Sequence, residues 1–144
     1  MYSDVLSGKG AAKKGARWNS QGVELVYTAG NRSLAMAEVA VHFTLATLPE
    51  DYLMLIIHVP DNTSIKKLSE KELPEFWNTF PYSASTQTIG DQFIADNQFC
   101  MLQAPSAVTQ GDYNYLINPH HHESKKIKII SSEKFPFDKR IFKL

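Results

Sequence analysis

The 144-residue chain is the length of one ordinary domain and long enough to bury a sizeable core. It is 43% hydrophobic and 21% charged, which excludes a disordered or fibrous chain. Fifteen basic and fifteen acidic residues cancel, so no global field favours nucleic acid or an anionic membrane.

The lone cysteine, Cys100, rules out an intramolecular disulfide and a cysteine-based zinc site, and fits a reducing, cytoplasmic setting. The first residues, "MYSDVLSGKGAAKKG", lack an apolar signal-peptide core, and no apolar run approaches the roughly 18 residues of a membrane span. The expectation is a soluble, intracellular protein with no membrane contact and no direct nucleic-acid binding.

In chain order, the Gly-, Ser- and Lys-rich start reads as a loop. "VELVYTA" (23–29) alternates and predicts a strand. Asn31 or Ser33 can cap a helix running to about Leu48, where Pro49 forbids continuation. "YLMLIIHV" (52–59) is a continuous apolar run that predicts a central buried strand. The polar segment 61–84 holds a short helix near 69–73, with Phe76, Trp77, Phe80 and Tyr82 as aromatic anchors. "STQTIGDQFIADN" (85–97) predicts a capped helix weakened by Gly90. "FCMLQAP" (99–105), "YNYLIN" (113–118) and "KKIKIIS" (125–131) predict strands, and "FPFDKRIFKL" an edge strand, where Pro136 is tolerated. The sum is an α+β domain.

Several side chains stand out against this background. The helix from residue 33 is apolar nearly all round, yet Glu38 shares a face with Leu34, Val41, His42 and Leu45. A buried carboxylate is costly unless paired or facing a wet cleft. Glu38 therefore either pairs with Arg17, Arg32 or His42, or looks into a pocket. Arg17, in "GARWN", either covers Trp18 or offers its planar fork to a phosphate beside flexible glycines. "GKGAAKKG" is not a Walker loop, because the spacing is wrong and no strand precedes it.

Ser106 leaves a strand directly after Pro105, a position for a side-chain turn more than for a nucleophile, and GxSxG is absent. His120, His121 and His122 before Glu123 lack the HExxH spacing and read as a solvated loop rather than a metal centre. Cys100, between Phe99 and Met101, reads as a buried apolar residue.

Taken in order, "GKGAAKKGARWNSQGVELVYTAGNRSLAMAEVAVHF", "IGDQFIADNQFCMLQAPSAV" and "NYLINPHH" resemble the RES domain, named for its Arg, Glu and Ser. The resemblance spans about residues 6–122. It implies an ADP-ribosyltransferase-like core, mixed sheets with flanking helices enclosing an NAD cleft, as one RES domain over 1–144. It implies a toxin that consumes NAD by hydrolysis or phosphorolysis, or transfers ADP-ribose to a protein, and an Xre-like antitoxin partner.

By motif position the catalytic set is Arg17, Glu38 and Ser106, with Tyr27 and Asn118 joining them at NAD and His120 nearby. In that assignment Arg17 holds the pyrophosphate, Tyr27 stacks on nicotinamide, and Glu38 stabilises a cationic ribose. The sequence departs from the family in having Phe93 where a tryptophan is common. The family also carries a strand ahead of "LSGKGAA", which the resemblance implies is missing here.

Overall fold

In a computed structural model, described over residues 5–43, 47, 51–135 and 138–142, two antiparallel-rich sheets pack with three α-helices. The helices are α1 (Lys9–Lys14), α2 (Arg32–His42) and α3 (Ala84–Asp96). The strands are β1 (Val26–Ala29), β2 (Leu53–His58), β3 (Ile65–Lys67), β4 (Met101–Pro105), β5 (Tyr113–Ile117) and β6 (Lys128–Lys134). The larger sheet has the order β1-β5-β4-β3, and β2 pairs with β6 in a second sheet. The architecture is α+β, as the element pattern predicts.

Alternation along the large sheet separates two cores. One face carries Leu102, Ala104 and Leu116, which pack with Trp18, Leu25 and Phe93. The other carries Val26, Met101 and Ile117, which pack with Cys100 and Ile127. Helix α3 closes the first core at Gly90, where an added Cβ would overlap the Trp18 carbonyl oxygen. Glycine costs helix propensity there, and the close crossing explains its presence.

β2 is not the central buried strand that its apolar run predicts: it sits in the two-stranded sheet with Leu53 and His58 exposed. A register shift falls between Ile56 and Ile57. Met54 and Ile56 pack with Val39 and Phe135, whereas Ile57 and Val59 pack with Val26 and Met101. The run is continuous because its two parities serve two different clusters.

Other boundaries also moved. The glycine-rich start contains α1, too short to show periodicity, capped by Gly8 and Gly15 at positive φ. Helix α2 stops at His42; Phe43 is extended, and its ring meets Tyr52 edge-on at 5.7 Å. Residues 44–46 and 48, expected in that helix, lie outside the described residues.

Nor is α2 buried on most sides, since Val41 is 62% exposed. Of the four aromatic anchors, Trp77 stacks toward Trp18 at 6.4 Å, but Phe76 and Phe80 are exposed. β3 went unpredicted. The final strand starts at Lys128 because a 3₁₀ turn occupies His122–Lys126. The edge strand expected at the C-terminus is replaced by a 3₁₀ turn over Lys139–Phe142, and Pro136 and Phe137 lie outside the described residues. Among the described residues no helix is long and apolar enough to cross a membrane.

Candidate functional site

Gly30 and Asn31 turn the chain from β1 into α2, and both are tied to the β4–β5 hairpin. Gly30 N–H donates to the Tyr113 carbonyl at 3.1 Å. Asn31 Oδ1 accepts the Leu34 N–H at 2.8 Å, a helix cap, while its Nδ2 donates to Asp112 at 3.2 Å. This fixes α2 beside the open edge of β1 and directs Glu38 toward β5.

Glu38 Oε1 accepts from Asn114 Nδ2 at 2.6 Å. Of the cations that sequence offered as partners, Arg32 pairs with Glu133, and Arg17 reaches the Trp77 and Thr79 carbonyls, each at 2.8 Å. His42 contributes charge attraction only. Burial raises the Glu38 pKa above its ordinary value, opposed by the Asn114 hydrogen bond and by His42. The carboxylate is thus held by a neutral amide and left under-compensated.

It lines a cavity of about 840 Å³ bounded by β1, α2 and β2, together with Tyr27, Thr28, His42, Tyr52 and Tyr115. Much of the rest of the wall is apolar, including Val26, Met54, Met101 and Ile117. A mainly apolar concavity with a few convergent polar groups is what a small-molecule site requires.

The other expected site residues are placed differently. Tyr27 lines the cavity, but its hydroxyl accepts from Trp18 N–H at 2.9 Å and donates to Asn19 Oδ1 at 2.6 Å. Burial raises its pKa, so it stays a neutral phenol. Arg17, next to Trp18, is partly buried, which lowers its pKa, and its guanidinium lies 6.0 Å from the Tyr82 ring centroid. Its Nη1 bonds pin the 77–79 segment; Arg17 does not line the cavity.

Ser106 is buried at the hairpin, where its Oγ accepts the Val108 and Thr109 N–H groups at 3.0 Å each, the side-chain turn anticipated from Pro105-Ser106. Its own N–H bonds the Asp112 carbonyl, so it shares a hairpin with the Asp112 that anchors α2.

Asn118 departs furthest from a ligand-contacting role. It is fully buried, its Nδ2 donating to Asn97 and its Oδ1 accepting the His120 N–H. Both ends of the amide are committed to the backbone turn and a neighbouring loop. His120 is exposed and bonds Glu24 at 2.9 Å.

The histidine run is not wholly a solvated loop: His121 is only 4% exposed. Cys100, His121 and Glu123 place possible ligand atoms within 4.8 Å of one another, a cluster the single cysteine did not suggest. The His121 Nδ1 lone pair, however, takes the Glu123 N–H at 3.1 Å, which makes the other ring nitrogen the protonated one. Glu123 Oε1 accepts both N–H and Oγ–H of Ser64 at 2.9 and 2.5 Å. Burial pushes the Cys100 thiol up to about 11, leaving it protonated. Glu123 Oε1 and His121 Nδ1 are thus taken up by protein donors, and the cluster reads as structural.

Sequence reasoning missed Asn114. It was one polar residue in a predicted strand, and only register could place it opposite Ala29 and Ala104.

Residues 2–138 match the RES domain, and the chain belongs to that family. It is 34% identical to the Prs ADP-ribosylating toxin of Sphingobium sp., covering 98% of this chain and 89% of that protein. It is 36% identical to the Toxin Res of Pseudomonas putida, covering 98% and 94%. Among solved structures, the toxin–antitoxin complex MbcT–MbcA of M. tuberculosis aligns with a TM-score of 0.75 over 99% of this chain and 82% of that one. At 18% identity that likeness is one of fold.

Proposed function

We propose that this chain is the toxin of a toxin–antitoxin pair and acts on NAD by breaking the nicotinamide–ribose bond. The observation that carries the reading is Glu38, an under-compensated carboxylate on a rigid helix at the wall of a mainly apolar cavity. When the C1′–N1 bond breaks, its electron pair leaves with nicotinamide, which departs neutral. Positive charge develops at C1′ and the ring oxygen. A preorganised carboxylate stabilises that charge without forming a covalent bond.

Water or inorganic phosphate then bonds C1′ and loses a proton, giving ADP-ribose or its 1″-phosphate. In this reading Tyr27 presents its ring to nicotinamide. Arg17, Ser106 and Asn118 are proposed around NAD by motif position, Arg17 at the pyrophosphate. Arg17 also bonds the 77–79 segment, Ser106 the β4–β5 hairpin, and Asn118 the chain at Asn97 and His120. An antitoxin of Xre-like type is the proposed partner, supported by the family and by the fold shared with a toxin from a toxin–antitoxin complex. One domain over 1–144 and a cytoplasmic location complete the proposal.

A second reading, transfer of ADP-ribose to a protein, is favoured by one observation: the Sphingobium relative is named an ADP-ribosylating toxin. The two differ only in the acceptor. NAD loss and nicotinamide release should be followed with and without phosphate, beside transfer of labelled ADP-ribose to lysate proteins. Stoichiometric loss of NAD without protein label supports hydrolysis or phosphorolysis, and phosphate dependence tells those two apart. Label on a discrete protein supports transfer. Neither signal would overturn the assignment to NAD.

A further inference from the structure

Among the described residues, Asn114 is the side chain that hydrogen-bonds Glu38, and it is itself locked. Asn114 Nδ2 donates one hydrogen to Glu38 Oε1 at 2.6 Å and the other to the Thr28 carbonyl at 3.2 Å. Turning the amide over would set its oxygen against a carbonyl and a carboxylate, three acceptors with no donor between them. The Thr28 carbonyl therefore dictates which end of Asn114 faces Glu38. In register, Asn114 stands between Ala29 on β1 and Ala104 on β4, so no bulky neighbour crowds it. It also ties helix α2 to the large sheet.

We infer that Asn114 is the positioning residue of the site: it fixes the Glu38 carboxylate against the cavity and favours its ionised form by donating to it. The inference rests on the proposed role of Glu38. A group that only donates stabilises the anion and gives nothing to the protonated acid's hydroxyl. Charged and titratable groups lining the same cavity are Arg32 and His42 on α2, Asp61 after β2, Tyr27 on β1, Tyr52 before β2 and Tyr115 on β5. Arg32 is engaged by Glu133, and His42 is the other group that favours the anion, by charge attraction.

The test is the pH profile of NAD consumption for wild type, Asn114→Ala, Asn114→Asp and Glu38→Gln, with a ¹³C titration of the Glu38 carboxyl. Asn114→Ala should lower kcat about tenfold, the size of one lost hydrogen bond to a charged group, with KM nearly unchanged. Its acid limb and the Glu38 titration should both move to higher pH. Asn114→Asp, isosteric and chosen in case the alanine variant does not fold, should move them further by setting two carboxylates together.

A merely structural hydrogen bond would change stability and leave kcat on the pH plateau at the wild-type value, which would also overturn the inference. Limbs and titrations that coincide with wild type in either folded variant overturn the inference. A fully active Glu38→Gln overturns instead the reading on which it rests, and the carboxyl titration still decides the Asn114 contact.

Discussion

Glu38 and Glu123 are both partly buried carboxylates, and the fold treats them in opposite ways. Glu123 receives two donors from Ser64, whose Oγ also accepts the Cys100 N–H at 2.9 Å, and its pKa is lowered by those bonds. Glu38 has one amide donor and an apolar cavity, and its pKa is raised by burial. A polar knot satisfied from within contributes to folding. A carboxylate left short of partners beside an open cavity is a stabiliser waiting for a cation.

The largest expected effect tests the cavity side. Glu38→Gln keeps shape and loses charge, and should reduce NAD turnover by about 10²–10³-fold, the usual scale for removing one electrostatic stabiliser. Next comes the knot. Ser64→Ala removes one of the two donors to Glu123 and leaves the buried Cys100 N–H without its acceptor, which should cost about 1–3 kcal/mol in denaturant unfolding while turnover of the folded fraction persists.

Acid separates the pair further. Glu123, with its folded pKa below the ordinary 4.5, contributes stability that is present above that value and lost as pH falls through the lower folded one. Glu38, raised above 4.5, contributes stability that is present below that value and lost as pH rises through the higher folded one. Melting curves from pH 3 to pH 7 should therefore show Glu123→Gln flattening the acid loss and Glu38→Gln steepening it. The smallest effect is Tyr27→Phe, which leaves the Trp18 N–H without its hydroxyl acceptor and should lower stability by about 1 kcal/mol, read as a shift in denaturant midpoint.

Much of this contrast was legible in the sequence on one side only. Glu38 among Leu34, Ala35 and Val39 announces a conflict that periodicity alone exposes. The family motif adds Arg17, Tyr27 and Ser106 as candidates, and of these Tyr27 lines the cavity with Glu38. Strands β1, β4 and β5 follow from alternation and turn residues. Local pattern was silent on everything set by long-range pairing. Asn114 needed the β1–β5 register, Ser64 and Glu123 lie 59 residues apart, and the apolar run of β2 hid a bulge that splits it between two cores. Gly90 looked like a defect in a helix until the Trp18 carbonyl was placed against it.

The most direct measurement sets Glu38→Gln beside Glu123→Gln and reads NAD turnover and melting temperature for both at pH 7. The account predicts a crossed result. Glu38→Gln loses turnover and melts at or above the wild-type temperature, because a costly charge has left the cavity wall. Glu123→Gln keeps turnover and melts lower. Turnover retained by Glu38→Gln, or lost equally in both variants, would contradict the division of labour between the two carboxylates.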